Sequence, residues 1–375
     1  MIAPPVGVLE ELDGGRIGPR SGPAHATPWP RAMAAATRLA AGRPRLWAFA
    51  LLAFLARGGL VALVIPMLVL PSFIGIANTV GPTSVTAAGP TPRLVALIAA
   101  WCGIALAAIV GGTLLAAAAE VALHRATVTA GTDGAMGRGV AFPSRWVAAA
   151  SPQVSGTPPA RGVVRRVAVA RLVLIVPVAL ALVAAVPGWV GVAYQELLLP
   201  SDLAIPLPLR VIAGAPIAAI VVVAAWLLAE VIGGLAARRI VLDGSTVPGA
   251  IGAAAGEVAR APASALLTLG LSLAGTLPVL VPAVVVVGLA WDRARIALVD
   301  ATDGAAVIVS TLVLVVAWAA CLGVAGVAAA WRSALWTAEL ARRETARLNR
   351  RDPGEPGLDA RATLEAHAPG GRLVR

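Results

Sequence analysis

Leu172–Tyr194 reads LVLIVPVALALVAAVPGWVGVAY, an uncharged aliphatic run with proline and glycine scattered through it. A helix rises about 1.5 Å per residue, so a run of about 20 apolar residues crosses the roughly 30 Å of hydrocarbon in a bilayer. Inside hydrocarbon the backbone must satisfy its own hydrogen bonds, and nothing here alternates as a barrel strand would. The run is a helix. Working outward, five further blocks share its character, and the six spans cover about 58–77, 94–121, 172–194, 211–235, 263–290 and 305–331. The expected fold is an all-α integral membrane protein with six transmembrane helices, arranged as three repeated αα-hairpins.

Composition agrees. The 375 residues are 59% hydrophobic and 13% charged, against about 45–50% and 25% in soluble domains. That excludes an ordinary soluble enzyme, a disordered protein and a disulfide scaffold. Cys102 and Cys321 both fall inside apolar blocks and offer neither metal spacing nor a disulfide framework. All 30 basic residues are arginine; with abundant Ala, Val, Gly and Pro, this reads as coding bias.

The first block is irregular. Its apolar run begins at Leu46 and reaches Ile76, interrupted by Arg57-Gly58-Gly59. An arginine at the bilayer centre costs at least about 2.5–3.5 kcal/mol, whereas one at the interface can snorkel. Leu46–Ala56 therefore reads as an interfacial helix feeding a span from about Gly58, with a seventh span as the alternative. Residues 1–45 and 352–375, rich in Pro, Gly and Arg, read as unstructured cytoplasmic arms, and 1–45 lacks the form of a signal peptide. Residues 332–351 continue the last helix into the cytoplasm, with pairs such as Glu339–Arg343.

Arginine counts orient the chain. Segments 1–45, 122–171, 236–261 and 332–375 hold 25 of the 30, and the alternate segments 78–93, 195–210 and 291–304 hold four. The positive-inside rule puts both termini in the cytoplasm, in the inner (plasma) membrane. Spread over every cytoplasmic segment and without stacking aromatics, the basic excess points to anionic headgroups and not to nucleic acid.

A weak threefold repeat runs through the spans. Odd spans carry Pro66 and Pro71, Pro177 and Pro187, and Pro278 and Pro282; even spans end near Ala119-Glu120, Ala229-Glu230 and Ala338-Glu339. From Pro66 to Glu120 is 54 residues, from Pro177 to Glu230 is 53, and from Pro282 to Glu339 is 57. The third match is the weakest, since Glu339 lies beyond Arg332.

Charges bordering the membrane are the candidate site. Arg57, Arg171 and Arg260 start the odd spans on the side where Glu120 and Glu230 end the even ones. Two readings fit: a structural ring of Arg–Glu pairs at the inner interface, which we prefer, or a proton- or ion-coupled carboxylate. In the outer segment Trp291–Gly304, Asp292, Arg293 and Arg295 are weaker candidates for ligand contact, against a short interfacial helix anchored by Trp291. No catalytic motif, cofactor signature or metal spacing is present in the sequence, and Gly131–Gly139 reads as a linker. Gly233, Gly234 and Gly323 are expected to let helices approach. The expected function is non-catalytic: membrane organisation, with lipid or a protein partner bound through the cytoplasmic arms. A transporter or lipid exporter built on the hairpins is the alternative, and an intramembrane enzyme comes last.

Overall fold

The computed structural model describes residues 29–64, 67, 85–86, 89–132, 142–150, 161–199, 201–202, 205, 207–300 and 304–351. It opens with α1 (Trp29–Gly42) and α2 (Pro44–Phe54), bent by 99° at Arg43. Proline at 44 bars the residue before it from helical geometry, and Arg43 sits at φ −135° and ψ 83°. Trp47 donates its indole N–H to the Ala40 carbonyl across the bend. A single π turn, Leu55–Gly59, then leads into α3 (Leu60–Val64). Beyond a two-residue pairing of Val85–Thr86 with Gly89–Pro90, the described elements are helices: α4 (Pro92–Ala130), α5 (Ser144–Ala150), α6 (Arg161–Leu198), α7 (Leu207–Gly214), α8 (Pro216–Leu242), α9 (Val247–Arg260), α10 (Pro262–Asp300) and α11 (Gly304–Arg351).

Among the described residues five helices, α4, α6, α8, α10 and α11, are long and apolar enough to cross a membrane; the bent pair α1 and α2 makes a sixth if it counts as one span. Thr91 caps α4 by accepting from Leu94 N–H, with Pro92 in the first turn, where a missing donor costs nothing. α6 and α10 run through Pro177, Pro187, Pro278 and Pro282 without ending. These helices exceed a bilayer: α11 has 48 residues, about 72 Å at 1.5 Å per residue.

Burial divides the bundle into two zones. On α4, residues such as Val95, Trp101 and Ile104 are exposed, and Ala116 to Ala130 are largely buried; on α8, Ile217 to Leu228 are mostly exposed, and Val231 to Leu242 are largely buried. An apolar surface of this extent is matched by lipid and not by water. The buried ends gather with α5 and α9 into a helical cap around Trp146, Val128, Val167, Leu235, Ile240, Ala250 and Leu340. We call this the capped end.

Several expectations change. Residues 29–42, read as part of an unstructured arm, form α1, whose Ala32, Ala35, Ala36 and Leu39 cluster with Leu335 and Ala334 while Ala40 is buried on the same face. Five apolar residues at helical spacing make a face even in a Pro- and Gly-rich setting. Leu46–Ala56, expected to lie along the interface, turns one face to α11: Leu46, Ala50 and Ala53 are buried, Phe49 and Leu52 stay exposed, and the Trp47 carbonyl would lie 3.1 Å from a Cβ at Gly326. The fourth span, expected to be continuous over 211–235, breaks at Ala215 ahead of Pro216. Trp291–Asp300, expected as a separate short helix, prolongs α10. Gly233 makes room for the Arg171 guanidinium and not for a neighbouring backbone, and a Cβ at Gly323 would meet nothing within 4 Å. The expectations for 1–28 and 352–375, most of the span 58–77 with Pro66 and Pro71, and most of Gly131–Gly139 lie outside the described residues.

Candidate functional site

Where the apolar band meets the capped end, side chains from α4, α6, α8, α11 and the π turn converge. Glu120 follows the run Ala116–Ala119, whose small side chains leave room for long arginines to reach it. Its carboxylate, 3% exposed, accepts from Arg171 in a two-pronged contact (Nη2 to Oε1, 2.7 Å; Nε to Oε2, 3.3 Å) and pairs with Arg57 at 2.8 Å. Glu230 on α8 accepts from Arg332 (3.0 Å), Arg57 (3.3 Å) and Arg171 (3.4 Å). Arg171 and Arg57 thus each bridge both carboxylates.

The backbone sets this up. Gly58 has φ +100°, open to glycine at little cost, and this non-helical residue kinks the helix path within the turn. Arg57 precedes that glycine and points at the two glutamates while its Nε donates to the Ala53 carbonyl (3.3 Å). Gly112 on α4 sits against the turn: a Cβ there would lie 2.6 Å from the Ala56 carbonyl oxygen.

Two further basic residues join that the sequence reading counted only as topological charge. Arg332 pairs with Glu230. Arg238 is 5% exposed, and its partners are neutral: Nε donates to Thr337 Oγ1 (3.1 Å), Nη1 to the Gly234 carbonyl (2.8 Å) and Nη2 to the Ser333 carbonyl (3.1 Å). His124, one helical turn beyond Glu120, is 3% exposed, and neither ring nitrogen has a hydrogen-bond partner. These groups surround a cavity of about 110 Å³, which Thr276 and Ser333 also line.

The other sequence candidates lie elsewhere. Arg260, at the end of α9, is exposed and outside the cluster. Glu339 belongs to a separate network, accepting from Arg342 and Arg343 (2.7 Å each) and from Ser264 (3.0 Å). Arg295 and Asp292 form one exposed pair three residues apart (3.1 Å), and Arg293 is exposed beside them. Among the described residues no group of three or more His, Cys, Asp or Glu side chains is placed to hold a metal.

A second cavity, about 530 Å³, adjoins the cluster on the apolar side. Leu60, Val61, Ile109, Leu174, Val178 and Trp226 line it, and Arg57, Arg171 and Glu230 form its polar end. The arrangement joins an apolar chamber to a basic one. Comparison of the chain with protein-family models, curated proteins and solved structures finds no match.

Proposed function

We propose that the chain is a non-catalytic multi-pass protein of the inner (plasma) membrane that binds and organises lipid. In this reading both termini and the capped end face the cytoplasm, as the 25-to-4 arginine distribution favours, and the three hairpins descend from one duplicated unit. The observation that carries the function is the 530 Å³ apolar chamber that ends on Arg57, Arg171 and Glu230. Such a chamber suits an amphiphile, with its acyl chain among Leu60, Ile109 and Trp226 and its head at the arginines. Residues 1–28 and 352–375 are the proposed contacts for a protein partner, and deleting them should abolish partner capture while the bundle stays intact.

The test is lipid retention. Protein purified from native membranes should carry about one tightly held amphiphile by native mass spectrometry. Ala108→Phe, which fills the chamber from its α4 wall, should release most of it without unfolding the bundle. Wild-type protein with no retained amphiphile would overturn the reading.

A second reading, lipid export, is favoured by the two cavities sharing Arg57, Arg171 and Glu230. It requires saturable movement of labelled lipid in proteoliposomes, lost in Glu230→Gln. A folded Glu230→Gln variant that loses pH-dependent flux would also replace the structural account of that carboxylate with a coupling one.

A further inference from the structure

We propose that the 110 Å³ cavity is an anion site that takes a phosphate group, held by Arg57, Arg171, Arg238 and Arg332. The inference rests on the lipid-binding reading, because the apolar chamber shares Arg57, Arg171 and Glu230 with this cavity.

Charge counting comes first. Four guanidinium groups and two carboxylates line the space, a formal surplus of two positive charges. A buried cation without an opposite charge is costly, and neutral acceptors offset only part of that cost. Arg238 is only partly compensated: its guanidinium donates to the Thr337 hydroxyl and two backbone carbonyls, and the Glu120 charge that acts on it is already bonded to Arg171 and Arg57. A bound anion carrying one or two negative charges would balance the set, which suits a phosphate monoester or diester better than a single carboxylate. Guanidinium forks match phosphate oxygens in pairs, which gives geometry as well as charge.

His124 supplies an independent sign. A buried imidazole normally finds partners for its ring nitrogens, yet both of its nitrogens lack one, and the ring lines the same cavity. A ligand oxygen would accept from its N–H. The volume suffices: a water needs about 10–15 Å³ of such space, so about 110 Å³ holds the several oxygens of a phosphate group. Arg332, 27% exposed, stands where a ligand would enter.

The test uses the full chain in detergent, with thermal unfolding followed as inorganic phosphate is titrated against chloride at matched ionic strength. It is repeated in nanodiscs of phosphatidylglycerol and of phosphatidylcholine. Phosphate should raise the unfolding midpoint with the logarithm of its concentration above Kd, by roughly 5 °C at a hundredfold excess over Kd, and chloride should not. If phosphatidylglycerol gives the same rise and abolishes the response to added phosphate, the ligand is a lipid headgroup; if phosphate acts equally in both nanodiscs, it is a free phosphate. Either result supports the site. Arg332→Gln should weaken phosphate roughly tenfold or more, the worth of one charge-assisted contact. His124→Leu removes no hydrogen bond the fold uses, so it should fold normally and still weaken phosphate several-fold; it carries the test if Arg332→Gln fails to fold. A midpoint indifferent to both phosphate and lipid charge would overturn the proposal, as would an undiminished phosphate response in His124→Leu. Retained amphiphile together with a midpoint indifferent to phosphate and to lipid charge would overturn this proposal while leaving the lipid-binding reading in place.

Discussion

Two charge clusters lie a few helical turns apart and are built on different principles. In the capped end, Asp243, Glu257, Glu339 and Glu344 face Arg145, Arg239, Arg342 and Arg343, four against four. Their contacts tie α5, α8, α9 and α11 together: Glu257 accepts from Arg239 (2.7 Å) and Arg343 (2.9 Å), and Asp243 accepts from Arg145 (3.0 Å) and the Trp146 indole (2.6 Å). At the edge of the apolar band, two glutamates face four arginines around a cavity. A balanced set in contact with itself is complete as a staple. An unbalanced set around empty space is incomplete as one, and that difference separates a site from a brace.

The largest effect should come from Glu120→Ala. It leaves Arg57 and Arg171 with Glu230 alone and deepens an existing surplus of positive charge. Removing one member of a buried pair costs about 3–5 kcal/mol, so expression and unfolding midpoint in detergent should fall sharply. Glu257→Ala comes next. It leaves Arg239 with Asp243 and Arg343 with Glu339, and Glu257 itself is 14% exposed where Glu120 is 3%, so about 1–3 kcal/mol is expected. Equal losses in the two variants would erase the distinction between the clusters.

How far the unbalanced cluster was legible follows from where its residues stand. Arg57, Glu120, Arg171 and Glu230 were recognisable because hydrocarbon makes any charge at the edge of a span conspicuous. Arg332 and Arg238 were hidden among arginines counted as topological markers. A spacing signal existed for the first: Arg332 follows Pro278 by 54 residues, the interval from Pro66 to Glu120. On the proposed duplication, the third hairpin would place an arginine where the first two place glutamates. His124 stands four residues after Glu120, hence on the same helix face, and no charge or metal spacing in the sequence marks it. Arg260 was misplaced because α9 ends at it, turning its side chain outward before α10 begins. The long apolar helices were legible from length alone, but α1 was not, since its buried face is mostly alanine and the segment is short.

A smaller effect concerns salt. Arg145 is 47% exposed, and it bridges Glu344 (2.6 Å) and Asp243 (3.0 Å) at the surface of the cap. The Glu344 hydrogen bond, with the nearby Asp243 charge, holds its guanidinium above its ordinary value despite partial burial. These contacts lie at the surface and therefore respond to ionic strength. Arg145→Gln should cost under about 1 kcal/mol, and the difference from wild type should shrink from 0.05 to 0.5 M salt as screening grows. The Glu120→Ala deficit, buried from solvent ions, should change little over the same range. A Glu120→Ala deficit that faded with salt would place that cluster in water.

The smallest effects come from glycines, and they isolate the cluster from general helix propensity. Gly252 on α9 is exposed, and a Cβ there meets nothing within 4 Å. Gly252→Ala should therefore stabilise by about 0.5–1 kcal/mol, the helix-propensity difference. Gly233 on α8 is also helical, but its Cβ would lie 2.5 Å from Arg171 Nη1. A free arginine end would swing aside and the propensity gain would remain. This one is held by Glu120 and Glu230 together, so moving it disturbs two contacts at once and the sign should reverse, to a loss of about 1 kcal/mol. In Glu230→Gln, where the Nη1 contact is already weakened, Gly233→Ala should cost less than in wild type. A cost that stayed the same would mean that Arg171 is fixed by packing alone, and that the two carboxylates do not act on it as a unit.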